Sequence, residues 1–174
     1  MTGASTVSRI DLMLARVPLR QPVQLGAMTI ARRDYVAVRL TLSDGAQGFA
    51  YGYDRGLPLF DIVLKAAEVY GGASALDRNR LRRTALGPTP APRAAMTRGA
   101  SLLDIALWDA WCQSIGLPLW AVFGAVRRSV PVMPVIGYGM TPERAASQCV
   151  LLNPEPLPPE WRCRGARVRL PRHA

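Results

Sequence analysis

The chain has 174 residues, 22 Lys and Arg against 12 Asp and Glu for a net charge of +10, and 49% apolar against 20% charged residues. That apolar share supports a buried core and excludes wholesale disorder, and no apolar run approaches the roughly 18 residues of a membrane-spanning helix. Cys112, Cys149 and Cys163 are too few and too scattered for a disulfide framework or a Cys-x-x-Cys metal site, and the N-terminal residues lack the basic-then-apolar order of a signal peptide, so a cytoplasmic protein is expected.

In chain order, Ser5 to Leu19 reads as a first strand, with Val7, Ile10, Leu12, Leu14 and Val17 in imperfect alternation and Pro18 ending it. Gln21 to Arg33, with Pro22 and Gly26, reads as a loop. Tyr35 to Leu42 is a cleaner strand, Asp44-Gly45 a hairpin turn, and Gln47 to Tyr53 the returning strand, whose glycines signal a bulge or a close approach of backbone. A helix then starts at Pro58 and carries Ile62, Val63, Ala66, Ala67, Val69 and Tyr70 to the stop at Gly71-Gly72. Ala73 to Arg83 is expected to form a second short helix, amphipathic through Leu76 and Leu81, before the proline-stiffened loop Gly87 to Pro92. A long helix follows from about Arg93, with Ser101, Asp104, Trp108, Trp111 and Ile115 at spacings of three and four. Being apolar over most of its circumference, that helix is expected between two layers, with Trp108, Trp111 and Cys112 as core residues. Meander and helices together define an α+β fold, a three-stranded antiparallel meander followed by a helical bundle.

Beyond Gly124, Val130 to Gly137 reads as a buried strand, and Thr141-Pro142-Glu143 has the N-cap, first-turn proline and acidic residue of a new helix. That helix meets Asn153 to Pro159, where four prolines in six positions forbid its extension, and the composition changes abruptly between Ser147 and Leu152. A reading-frame change or a degenerate gene end accounts for the shift, with a natural disordered tail as the alternative. Residues 144–174 hold six arginines against Glu155 and Glu160, while Lys65 is the only lysine of the chain. No zinc-finger spacing or RNA-recognition signature accompanies this charge, so the bias reads as a GC-rich coding sequence and nucleic acid is not the expected partner.

Several motifs, taken in order, resemble the mandelate racemase/muconate lactonizing branch of the enolase superfamily. The strongest is Ser101-Leu-Leu-Asp104-Ile-Ala-Leu-Trp108-Asp109 followed by Gly116-Leu-Pro118-Leu119 and Phe123-Gly124. Val17-Pro-Leu19 with Pro22 resembles the family's first strand entering its substrate-covering loop, and Asp44-Gly45 with Gly48-Phe-Ala-Tyr51 the hairpin before its second lid loop. Val130 to Gly137, with Tyr138 to Glu143, resembles the first barrel strand opening into the first barrel helix. The resemblance implies an enolase-like capping domain over residues 1–128, the first βα unit of an incomplete β/α barrel over 129–152, and an irregular Pro/Arg-rich tail over 153–174. A complete barrel needs about 250 residues, and only 45 run from Val130 to Ala174.

The family removes a proton alpha to a carboxylate, with Mg2+ on three carboxylates stabilising the enolate and Lys or His as the base. Such a proton is weakly acidic, so the developing charge must meet a divalent cation in a dry pocket. The family's Lys-x-Lys base lies on the second barrel strand and its metal ligands on later strands, so no catalytic or metal residue is assigned in this chain. Arg167-Val168-Arg169 echoes Lys-x-Lys, but a guanidinium stays protonated and cannot act as a base. His173, the only histidine, has no visible carboxylate partner in sequence. Asp104 and Asp109 lie about 140° apart around a helix and cannot share a metal; Asp104 is expected to satisfy backbone donors near the sheet, and Asp109 to cap or pair locally. The lid candidates are Gln21 to Ile30 and Gly52 to Leu57, with Gln24, Leu25, Met28, Tyr53 and Asp54 as the residues facing substrate. The functional expectation is a truncated family member, its substrate class a small carboxylic acid not turned over by this chain alone. The alternatives are a non-catalytic capping-domain interaction module, homo-oligomeric or bound to a partner, and a basic nucleic-acid-binding protein.

Overall fold

Alternating side chains on one strand and small residues on the next create the floor on which the helices rest. The computed structural model describes residues 5–87, 93–124, 135–136, 143, 147 and 167–168. β1 (Val7–Leu25), β2 (Met28–Leu42) and β3 (Gln47–Tyr53) form a three-stranded sheet in the order β1-β2-β3. Val36, Val38, Leu40 and Leu42 of β2 all point inward and are essentially inaccessible to solvent. Their partners across the antiparallel β2–β3 ladder are Gly52 for Val36, Ala50 for Val38 and Gly48 for Leu40. Large residues on the central strand thus face small ones on the edge strand. The β2–β3 turn is closed by Leu42 N–H donating to Ala46 O at 2.8 Å, with Gly45 at φ 88° where only glycine is unstrained.

The helices follow as α1 (Leu59–Ala67), α2 (Arg78–Leu86), α3 (Arg93–Ser114) and α4 (Leu119–Val122). α1 begins after Pro58, with Asp61 in its first turn and Lys65 in its last, the order that complements the helix dipole. α3 packs against β3 on one side and against α1 and α2 on the other. It buries Gly99, Ala100, Leu102, Leu103, Ala106, Leu107, Ala110 and Cys112. The helix comes close enough that a Cβ on Gly48 would lie 2.0 Å from Ala106 O and 2.3 Å from Ala110 N. The glycine signal in the sequence is therefore a close approach rather than a bulge. α1 crosses α3 at Gly99, where a Cβ would meet Ile62 Cγ2 at 2.6 Å.

Three elements differ from the sequence expectation. β1 does not stop at Pro18 but continues through Pro18 and Pro22, because an edge strand leaves one side of its backbone unpaired and tolerates the missing N–H. The segment Gln21–Arg33 is accordingly no loop: β1 and β2 continue to a turn at Gly26-Ala27. Ala73–Asp77 is not helical. Its backbone bonds to the start of β1 instead, with Val7 N–H on Ala73 O, Gly72 N–H on Val7 O and Ala75 N–H on Ser5 O, each at 2.9 Å. Leu76 consequently stands 58% exposed while Leu81, inside α2, is buried.

The chain divides into two compact units, one of Met1–Pro18 with Arg32–Val126, the other of Leu19–Ala31 with Arg127–Ala174. In the second, β4 (Val135–Ile136) pairs in parallel with β5 (Arg167–Val168), Val135 opposite Arg167. Glu143 and Ser147 between them are helical, and Ser147 Oγ donates to Glu143 O at 3.0 Å. Strand, helical residues and parallel strand follow the order of a βαβ unit. β5 thus places a strand inside a segment whose composition predicts irregular chain. Cys149, Cys163, Arg169, His173, the helix start at Thr141-Pro142 and the proline run from Pro154 to Pro159 lie outside the described residues.

Gly48→Ala is expected to destabilise the fold by about 3 kcal/mol, the upper end for overpacking, because both clashing groups are backbone and neither can rotate away. Chemical denaturation checks this, and Ala50→Gly, which only removes a methyl from the same floor, should cost clearly less.

Candidate functional site

Enolate chemistry needs carboxylates that converge, and several of the described carboxylates interact instead with other groups. On the outer face of the sheet, Arg39 Nη2 and Arg9 Nε hold the two Asp11 oxygens at 2.8 and 2.7 Å. Asp34 lies 3.6 Å from Arg32 Nε and 4.0 Å from Arg16 Nε. Asp77 pairs with Arg80 at 2.6 Å. Asp44 accepts from Ser5 Oγ at 2.6 Å, from Ser114 Oγ, and from Ala46 N–H at 3.0 Å, joining the N-terminus, the β2–β3 turn and the end of α3. Those hydroxyls, Ser114 first and then Ser5, hold its carboxyl below the ordinary carboxylate range. Among the described residues, no three His, Cys, Asp or Glu side chains gather where they could hold a metal ion. Magnesium therefore does not fit the described donor set.

The two aspartates of α3 lie on different faces, as their spacing requires, but in roles opposite to those expected. Asp109, not Asp104, serves the sheet: its Oδ2 accepts from Phe49 N–H on the edge of β3 at 2.9 Å. Asp104 is half-buried facing Arg82 and Arg78 of α2, and burial pushes its carboxyl up against their opposing effect. Tyr70 packs beneath with no exposure, its hydroxyl without a hydrogen-bond partner among the described residues, and burial followed by Asp104 raises its pKa. The seam between α2 and α3 is closed by Arg78, whose guanidinium lies 3.6 Å from the Trp108 ring centre and 4.5 Å from that of Trp111, while Nη1 donates to Ala75 O at 3.2 Å. Neither indole is a full core residue; both are half-buried, with Phe123 5.0 Å from Trp108. Cys112 is buried as expected, and burial raises its thiol pKa.

The lid candidates fall in two places. Gln24 and Leu25 end β1 and Met28 opens β2, and the turn between them is held by Gln24 Nε2 donating to Gly26 O at 2.9 Å and Thr29 Oγ1 to Gln24 Oε1 at 2.6 Å. Met28 is 60% exposed. Tyr53 ends β3 and Asp54 follows it, in the other compact unit. Tyr53 packs on Tyr35 at 5.7 Å, with the Arg33 guanidinium also 5.7 Å from its ring centre. One feature was not legible in advance: an open apolar groove of about 720 Å³ lined chiefly by Phe49, Ile105, Trp108, Cys112, Leu117 and Leu119. Phe49, Ile105 and Leu117 are each about half exposed, at 52%, 53% and 49%. The glycine-proline break after the long helix was visible, but not the face it leaves uncovered.

The family model for the mandelate racemase/muconate lactonizing enzyme N-terminal domain matches residues 9–124, so the chain belongs to that family. It is 27% identical over 140 residues to an N-succinylamino acid racemase of Thermus thermophilus, a match covering 75% of this chain and 37% of that protein. It is 28% identical over 144 residues to muconate cycloisomerase 1 of Rhodococcus opacus, covering 79% and 38% respectively. The fold also matches the crystal structure of an enolase from the alpha proteobacterium bal199 with bound magnesium, at a TM-score of 0.78 and 18% identity, over 98% of this chain and 48% of that one. The chain thus spans less than two fifths of the length of these two curated relatives. No helix among the described residues is long and apolar enough to cross a membrane.

The Asp44 cluster gives acid sensitivity a defined sign. A carboxyl held below its ordinary range contributes stability that is complete above that range and lost as pH falls through its lowered pKa. Asp104, raised by burial, acts oppositely: its ionisation weakens the fold as pH rises. Asp44→Asn is therefore expected to lower stability near neutrality by about 1 kcal/mol, after allowing for solvent screening. Denaturation midpoints from neutral to acidic pH should also fall less steeply in the variant than in the parent.

Proposed function

We propose that this chain supplies the substrate-covering, capping half of a mandelate racemase/muconate lactonizing-type protein acting on a small carboxylic acid, and that alone it turns nothing over. The observation that carries this reading is the engagement of the capping carboxylates: the interactions of Asp11, Asp34, Asp44, Asp54, Asp77 and Asp109 are with arginines, hydroxyls or backbone N–H groups. When bound in this family, magnesium supplies charge stabilisation for an enolate; residues 9–124 offer it no converging ligands among those described. In the other unit, Arg167 of β5 belongs to a chance echo of the family's Lys-x-Lys pattern in an arginine-rich segment, and a guanidinium cannot accept a proton.

In this reading residues 1–128 are the cap, 129–152 the first barrel unit and 153–174 a tail containing β5. Gln24, Leu25 and Met28 on the hairpin tip are lid residues of one unit, and Tyr53 and Asp54 on the second loop are lid residues of the other. The protein works in the cytoplasm, and its relatives' names point to N-acylated amino acids, dipeptides or unsaturated diacids as substrates. Incubating the purified chain in D2O with Mg2+ and, separately, an N-succinylamino acid, an Ala-containing dipeptide and a 2-hydroxy acid should give no alpha-proton exchange above the buffer rate by proton NMR. Exchange with any of the three would overturn the reading.

The exposed groove favours a second reading, a non-catalytic interaction module that self-associates through Phe49, Ile105, Leu117 and Leu119. Sedimentation then shows concentration-dependent association that Ile105→Glu abolishes without lowering the denaturation midpoint; a monomer at all concentrations removes this reading.

A further inference from the structure

The end of β3 is tied to α3 by one side chain. Arg98 projects from α3, and its guanidinium donates through Nη1 to Asp54 O at 3.1 Å and through Nη2 to Tyr53 O. One planar fork thus satisfies two consecutive carbonyls at the point where β3 ends. Around it, the backbone N–H, the carbonyl and Oδ1 of Asp54 are occupied locally. Its N–H donates to Asp34 O at 3.0 Å, its Oδ1 accepts from Gly56 N–H at 3.0 Å, and its carbonyl also accepts from Leu57 N–H at 3.1 Å. Leu57 O in turn accepts from Leu59 N–H at 2.7 Å, at the entry to α1. Arg55, between Asp54 and Gly56, sits at φ 54°, the one non-glycine residue in the left-handed region among those described. A side-chain-bearing residue holds such a conformation only when its surroundings over-determine it. Here the determinants on the two sides of Arg55 are the arginine fork and the Asp54–Gly56 turn.

We infer that Arg98 is a positioning residue that makes the loop Asp54–Leu57 a fixed wall of the substrate cover rather than a flap that opens and closes. Tyr53 and Arg55 then present the same face whether or not a ligand is bound. The proposal rests on the reading of this loop as part of the cover, but its test needs no turnover, so the two fail separately.

Amide hydrogen exchange on the intact chain reads it directly. Arg98→Met, which keeps the apolar stem, is expected to speed exchange of Gly56 and Leu57 by about tenfold, while Leu103 and Leu107 in α3 change by less than about twofold. Arg98→Lys, which retains the charge and donors without the planar fork, recovers part of the protection. Native exchange rates at Gly56 and Leu57 in Arg98→Met would overturn the proposal, as would loosening spread equally along α3 or a Lys variant no better than Met. If Arg98→Met does not fold, Arg98→Gln takes its place with the same readings.

Discussion

The architecture depends on how closely α3 can lie on β3. The inward positions of the edge strand are Gly48, Ala50 and Gly52, opposite Leu40, Val38 and Val36 of the central strand. The volume missing from β3 is what admits the α3 backbone, and Leu102, Ala106 and Ala110 descend into that space. Once the helix is seated, Asp109 reaches the Phe49 amide, Arg98 reaches the end of β3, and Ser114 reaches the Asp44 turn. Three polar ties at different levels of one helix thus follow from one steric arrangement. A β3 bearing ordinary strand residues would lift α3 away and lose all of them together.

The same arrangement keeps several carboxylates of this unit apart: Asp11, Asp34, Asp44, Asp54, Asp77 and Asp109 each interact with an arginine, a hydroxyl or a backbone N–H. Among the described residues, no three His, Cys, Asp or Glu side chains gather where they could hold a metal ion. What this unit offers instead is shape: a loop after β3 held by Arg98 and an apolar groove at the end of α3.

Most of the fold was legible because the strongest local signals agreed with the tertiary packing. Val36, Val38, Leu40 and Leu42 alternate inward, Asp44-Gly45 forms the turn, and Pro58 precedes α1 as its geometry favours. Misreadings arose where position in the sheet outweighs residue preference. Pro18 and Pro22 are strand breakers only for a strand paired on both sides, and β1 is at an edge. Ala73–Asp77 has helical composition, but the free edge at the start of β1 captures its backbone first. The roles of Asp104 and Asp109 could not be told apart by spacing, since helical geometry separates their faces without saying which face meets the sheet. Of the candidate site, the positions of Tyr53 and Asp54 at the end of β3 were readable, whereas the Arg98 fork joins residues more than forty positions apart and leaves no local trace.

Arg78 and the paired indoles have an optical consequence. The Trp108 and Trp111 rings stand 5.7 Å apart with 72° between their planes, and a guanidinium lies close over both. Two chromophores held so near in a chiral arrangement couple their electronic transitions, and the adjacent cation shifts the energies of both. The near-ultraviolet signature of that pair on α3 therefore shifts when Arg78 on α2 moves away, even while the rest of the polypeptide keeps its backbone structure.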